Sequence, residues 1–365
     1  MSKPKTAQQL AVDNLIVKHL AGSHSYGTAI ASSDVDYRGV FVGDPINVRT
    51  PFFRVDEVNV TTEEDTKLYE LSNFMKLAVD CNPNIIETLW VDDSSIVKEH
   101  PAFSLLRQAA PQLLSRRIAF TTVGYALSQL KRIKGHNKWI NSPQPEQKPQ
   151  AVDFVSMVQH FTQPNERATM PRDFDLRKFM DGWRLIPFGK DTFGLYRYEG
   201  RTPFNESTGS LNDDFEDESR VGLGAPTYVV KFNRQEFEDA KLRWEQYWEW
   251  KRNRNETRSA LEEQHGFDTK HAMHLVRLLR MGYEAVTEGV IRVKRPDAEE
   301  LLSIRNGAWT YDQIVEYAED MNSLVETAVD RSDLPKQGNL LLAAKVVLQV
   351  QDAVWDIGSS GHGDV

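Results

Sequence analysis

Residues 34 to 36 read Asp-Val-Asp at the head of the apolar stretch VDYRGVFV. In a strand, residues i and i+2 point to one face, so Asp34 and Asp36 would project side by side while Val35 and Tyr37 turn away. Two carboxylates held that close repel unless a cation lies between them. The chain must therefore build a sheet with a polar, cation-accepting edge, and a hard divalent ion such as Mg²⁺, bound through oxygen, meets that need. Gly22 and Ser23 stand upstream in LAGSHSYG, with a twelve-position step from Gly22 to Asp34. Glycine lets a backbone approach phosphate oxygens closely, and exposed N–H groups with a hydroxyl can hold them. An isolated Asp-x-Asp can also be a solvated or helix-capping turn. The combination with the Gly-Ser pair is more specific, and it suits two-metal phosphoryl transfer, which usually recruits a third carboxylate. Glu70, between apolar neighbours in LYEL, is the first candidate, and Asp65 in EEDTKL is the alternative.

The surrounding pattern is α/β. LIVKHL (15–20) and VDYRGVFV (35–42) predict two strands joined by a short loop or helix, and 55–60 and 66–71 read as further strands or strand ends. Leu71, Phe74, Met75, Ala78 and Val79 fall at helical spacing. Asn82-Pro83 then reads as an N-cap followed by a proline at the first helical position. From about residue 101 the pattern turns helical, with Phe120, Val123, Leu127 and Leu130 as one apolar stripe in 112–134. Residues 183–198 and 227–232 read as strands around an acidic loop at 205–224. Helices follow at 235–254, 269–287, 311–329 and 339–356, the third opened by the capping box Thr310-x-x-Gln313. The expectation is an α+β chain: a catalytic core over 1–100, then a mainly helical region over 101–365 carrying a β insertion at about 180–232.

With 365 residues, the chain can bury a substantial core, and no apolar run approaches the roughly 20 residues that span a bilayer. Cys81 is the only cysteine, which excludes an intramolecular disulfide and a cysteine-rich metal site. The N-terminus lacks the apolar stretch of a secretory signal, so a reducing cytoplasm is the expected compartment. The net charge of −9 argues against binding nucleic acid through the whole surface. Its distribution is uneven, however. Arg107, Arg116, Arg117, Lys131, Arg132, Lys134 and Lys138 occupy a window between Glu99 and Glu146 with no acidic residue. Such a window suits a face that meets phosphates, or else a helix whose basic residues pair with acidic segments such as DDFEDE at 213–218.

LAGSHSYGTAIASSDVDYRGVF resembles the active-site signature of the DNA polymerase beta nucleotidyltransferase superfamily. More narrowly, the chain resembles the nucleotidyltransferases called RlaP or YcgL-like, which are associated with RNA repair. The blocks YELSNFMKLAVDCNPNIIETLW, GYALSQLKRIKG, YWEWKRNRN, TKHAMHLVRLLRMG and SIRNGAWTYDQIVEYAED carry the same resemblance, leaving out about 140–230. The resemblance implies a nucleotide-binding α/β core and transfer of a nucleoside monophosphate from an NTP to a hydroxyl, with pyrophosphate released. It implies two Mg²⁺ ions, with Mn²⁺ as a possible substitute. Gly22 and Ser23 would then hold the triphosphate, and Asp34, Asp36 and Glu70 would hold the metals. An RNA end is the expected acceptor. A protein or small-molecule hydroxyl, and a non-catalytic nucleotide- or RNA-binding module, are the alternatives.

One further feature is helical. Lys270, His274 and Arg277 fall at i, i+4 and i+7 and make a basic stripe that could meet phosphates. His271 and His274 also raise the question of zinc, for which a histidine pair without an acidic or cysteine partner is weak.

Overall fold

The computed structural model describes residues 5–60, 65–160, 174–213, 224–253 and 256–355. Leu15–Ala21 (β1) and Asp36–Phe41 (β2) pair antiparallel, their β-branched and aromatic residues giving the strands one fully buried stretch, with Ile16, Val17, Val40 and Phe41 at 0% exposure. Glu57–Val60 (β3) runs antiparallel to Thr66–Glu70 (β4), and β4 lies parallel to β2. Ile96–Glu99 (β5) closes the other edge on β1, so the sheet order is β3-β4-β2-β1-β5. The parallel β2·β4 pairing requires a crossover, and it sets Tyr37 against Thr66 at one end and Phe41 against Glu70 at the other.

The helix Leu71–Val79 leaves β4 directly and buries Leu71, Phe74, Met75, Ala78 and Val79, the spacing expected from the sequence. Asn82 caps the short helix Pro83–Ile86 by accepting from the Asn84 N–H. Four long helices, Arg117–Asn141, Thr269–Glu288, Tyr311–Arg331 and Leu340–Trp355, continue the chain. The capping box at Thr310 and Gln313 is formed. Over the helix Arg117–Asn141 the buried face differs from the expected stripe. Phe120 and Leu127 are exposed, while Ile118, Ala119, Thr122, Ala126, Gln129, Leu130 and Ile133 are buried. The neighbouring helix comes too close for large side chains: a Cβ at Gly282 would meet Thr122 Oγ1 at 2.3 Å. Small and polar residues therefore line the contact, and hydrophobicity alone marks the wrong face.

The chain divides into two compact units, 1–140 with 257–365, and 141–256. The division expected near residue 100 differs, because one hydrophobic core runs from Ile16 and Val40 through Phe103, Ile118 and Leu279 to Val350. The helices after residue 101 complete the sheet's core. In the second unit, Val155–His160 (β6), Trp183–Gly189 (β7), Thr192–Arg197 (β8) and Tyr228–Phe232 (β9) form an antiparallel sheet ordered β6-β9-β8-β7. Its core includes Val152, Leu185, Leu195, Val230 and Phe232. The expected β insertion is thus present and begins earlier than 180, with β6. Half of the acidic loop expected at 205–224, including 214–218 of DDFEDE, lies outside the described residues. The architecture is α+β, with a mixed five-stranded sheet, a β-containing middle segment and a helical C-terminal region. No helix among the described residues is long and apolar enough to cross a membrane.

Candidate functional site

At the end of β1 the backbone turns left-handed at Gly22 (φ 60°) and enters the helical turn Gly22–Tyr26. The neighbouring strand begins at Asp36, paired with Ala21. The two meet so closely that a Cβ on Gly22 would lie 2.9 Å from Asp36 Oδ2. Glycine at 22 thus serves two requirements at once, a left-handed φ and the absence of a side chain beneath a carboxylate. Asp34 precedes β2 and is exposed, so the pair is arranged around the strand's entry rather than along its face.

Asp36 is partly buried, and burial raises its carboxyl above the usual range, with Asp65 and Asp34 adding to the rise and Arg38 opposing it. The Asp65 side chain lies close enough to Asp36 to add to that rise, which places the two acids together at this end of the sheet. Asp65 reaches this position because its carbonyl accepts from Tyr37 N at 2.9 Å, extending the β2·β4 ladder by one residue.

Glu70 stands elsewhere. It lies at the opposite end of the same ladder, four residues from Thr66, roughly 13 Å along the strand from the Asp36 end at about 3.3 Å per residue. Its Oε2 accepts from Ser72 N at 2.7 Å and its Oε1 from Gly43 N at 3.4 Å. Glu70 is therefore the buried N-cap of the helix Leu71–Val79, and its apolar neighbours reflect that helix start. Burial nevertheless raises its carboxyl, against these backbone donors. Of the two carboxylates weighed for the third position, Asp65 is the one that joins Asp36.

The site opens into a cavity of about 480 Å³ whose wall includes Gly22, Asp36, Lys270, His274 and Arg277. Arg132 of the basic window adds a cation, and Arg38 and Lys67 add two that the sequence reading did not single out, because the three are brought in by separate elements. Lys67 is also paired with Glu57 at 2.9 Å. The Ser25 hydroxyl lines the cavity, is buried, and has no hydrogen-bond partner among the described residues. Ser23 is partly buried, and its carbonyl accepts from Thr28 N.

The expected basic stripe is in fact three different environments. Arg277 is buried, with Nη1 3.0 Å from Glu87 Oε1 and its guanidinium 3.7 Å over the Tyr26 ring. Tyr26 in turn donates to Glu87 Oε2 at 2.7 Å. This triad ties the helix Thr269–Glu288 to the turn Gly22–Tyr26, and burial drives the Tyr26 hydroxyl pKa up. Desolvation, with Arg277 and Lys270 nearby, pushes His274 down to about 3, so it faces the cavity as a neutral ring at neutral pH. Lys270 brings its ammonium group to the wall of the same cavity. His19, also on the wall, is lowered to about 4 by burial.

The seven-cation window disperses in the same way. Arg107 pairs with Asp93 and Arg117 with Asp80. Arg116 donates to the Leu334 and Ser332 carbonyls. Lys131, Lys134 and Lys138 are exposed on the helix Arg117–Asn141, and Arg132 alone reaches the cavity.

The donor set at Asp34, Asp36 and Asp65 is all oxygen and anionic, mutually repelling, and partly desolvated at Asp36. That is the chemistry a hard divalent cation relieves, so these residues fit Mg²⁺.

Residues 5–143 match the model of RlaP, described as the RNA repair pathway DNA polymerase beta family. An uncharacterized 38.9 kDa protein from the nrdC-mobD intergenic region of enterobacteria phage T4 is 33% identical over 92 residues, which are 23% of this chain and 27% of the phage protein. The match thus spans about a quarter of that relative's length. No solved structure matches the chain.

Proposed function

We propose that this chain, whose residues 5–143 match the model of the RNA repair pathway DNA polymerase beta family, is a metal-dependent nucleotidyltransferase that moves a nucleoside monophosphate from an NTP to a hydroxyl at an RNA end. The observation that carries the reading is the convergence of Asp36 and Asp65 against a side-chain-free Gly22, at the edge of a cavity lined by Arg38, Lys67, Arg132 and Lys270. Asp34, Asp36 and Asp65 would hold Mg²⁺, or Mn²⁺ in its place. A bound divalent ion supplies charge neutralisation for the phosphates and a lowered pKa for the attacking hydroxyl.

The chain's own residues do the remainder. Gly22 leaves room for phosphate oxygens beside Asp36, and Ser23 and the unpartnered Ser25 hydroxyl can donate to them. Lys270, Lys67 and Arg38 offset the charge of the triphosphate and of departing pyrophosphate. Arg277 and Tyr26, fixed by Glu87, keep the wall rigid beneath those groups. The neutral His274 can donate or accept a hydrogen bond without adding charge.

A second reading keeps the transfer and changes the acceptor to a protein or small-molecule hydroxyl. It is favoured by the net charge of −9 and by the engagement of Arg107, Arg116 and Arg117 in internal contacts, which leaves fewer cations to follow an RNA backbone. One experiment separates the two: incubation with α-³²P-labelled NTPs, Mg²⁺ and either RNA or a protein extract. Label on RNA, lost with Asp36→Asn, supports the first reading. Label on protein alone supports the second, and no label on either acceptor contradicts both.

A further inference from the structure

A second cluster of metal-ligating groups lies outside the carboxylate set. His136, on the helix Arg117–Asn141, and His271, in the first turn of the helix Thr269–Glu288, both turn to Asp268, which caps the latter helix. One ligand atom from each residue lies within 4.8 Å of the others. Asp268 Oδ2 is 2.5 Å from His271 Nδ1 and 3.4 Å from His136 Nδ1. Its Oδ1 is engaged separately, accepting from His271 N at 3.0 Å. The Asp268 side chain is wholly buried, and the two histidines expose only 17% and 14%. The sequence offers the His271–His274 pair as a possible zinc motif. In the fold, the grouped ligand atoms do not include His274, and His136 takes its place from a helix more than a hundred residues earlier.

We propose that His136, Asp268 and His271 form a site for a first-row divalent transition-metal ion, best suited to Zn²⁺. The two imidazoles are borderline donors and, beside one carboxylate, favour such ions over Mg²⁺, whereas Asp34, Asp36 and Asp65 are all hard donors that favour Mg²⁺. Three protein ligands leave one tetrahedral position open, and His271 also lines the cavity, so the open position adjoins it. Zinc–ligand bonds of about 2.0–2.2 Å put tetrahedral ligand atoms roughly 3.4 Å apart, the separation already present between Asp268 and His136. The shorter Asp268–His271 contact is the hydrogen bond of the metal-free state. It opens by roughly 1 Å as the ion displaces the shared proton to solvent. Asp268 Oδ1, held by the helix N-terminus, fixes the orientation of the liganding oxygen. The site does not depend on the activity proposed above.

The test uses the full chain, stripped with a chelator and then saturated with excess Mg²⁺ so that the oxygen site is masked. Titration with Co²⁺ is followed by the visible absorption of tetrahedral cobalt, and titration with Zn²⁺ by calorimetry. One equivalent is expected to bind. His136→Gln and His271→Gln each weaken binding by about 100-fold or more, at least the scale seen on losing an outer-shell partner. Asp268→Asn retains a capping acceptor, so it stays folded and also weakens binding. Asp36→Asn leaves it unchanged. The proposal is overturned by failure to bind one equivalent in excess Mg²⁺, by binding that survives all three cluster variants, or by binding lost in Asp36→Asn instead.

Discussion

Replacing Gly22 by alanine separates the two demands made on this residue. The first is conformational: φ is 60°, where a side chain costs about 1–2 kcal/mol. At roughly 2–4 °C per kcal/mol for a unit of this size, Tm falls by about 2–8 °C. The second is positional. The new methyl would stand 2.9 Å from Asp36 Oδ2, so the carboxylate must retreat by roughly half an ångström, for which losses of ~10- to 100-fold in turnover are the expected scale. Gly27 supplies the control, because it is also left-handed (φ 76°) but its added Cβ would meet only the Ala298 methyl, at 3.6 Å. Gly27→Ala should therefore lose similar thermal stability and keep its activity. The assay is pyrophosphate release against Mg²⁺ concentration, run beside thermal unfolding, with Gly22→Ala showing both lower turnover and a higher Mg²⁺ requirement. Equal activity losses in the two variants would refute the reasoning, because strain and not the carboxylate's position would then explain the effect.

Asp65→Asn should cut transfer by ~10²-fold or more with little change in Tm, while Glu70→Ala should keep transfer near the parent level and cost about 0.5–2 kcal/mol as a lost helix cap, read by urea unfolding. Arg277→Met strands the buried Glu87 carboxylate and should destabilise by about 3–5 kcal/mol, read by urea unfolding, whereas Lys270→Met should raise the KM for NTP; unchanged stability in Arg277→Met would contradict the buried pair. His19 has a folded pKa of about 4, below its ordinary 6.5, because it is buried. The unfolded chain therefore takes up its proton first as pH falls. Stability should drop by up to about 1.4 kcal/mol per pH unit between about 6.5 and 4 from this group, and His19→Gln should flatten that part of the pH–stability curve.

Much of the candidate site was legible because its signals are local. Gly22 and Asp36 are separated by one turn and a loop, and strands at 15–20, 35–42 and 66–71 follow from β-branched patterning that tertiary packing did not override. What the sequence hid depends on distant partners. Asp65 immediately precedes β4 and Glu70 ends it, and only the parallel register with β2 decides which end faces Asp36. Arg277 looks like a free cation until Glu87, 190 positions away, is seen to hold it. The 117–141 helix buries Ala119, Thr122 and Gln129 because a close neighbour rewards small size, a demand that hydrophobic periodicity does not register. The edge strand β5, Ile96–Glu99, has only four residues, two of them charged, so it lacks a pattern of its own.

The central claim is that Asp34, Asp36 and Asp65 support transfer of a nucleotide to a hydroxyl. Its most direct test is single-turnover incorporation of α-³²P-labelled NTP into RNA, with Mg²⁺ present or chelated, comparing the parent chain with Asp36→Asn. The account predicts Mg²⁺-dependent labelling with stoichiometric pyrophosphate, reduced by ~10³-fold or more in the variant, the scale of several kcal/mol of lost metal-assisted stabilisation. Labelling that is equal in parent and variant, or unaffected by chelation, would contradict it.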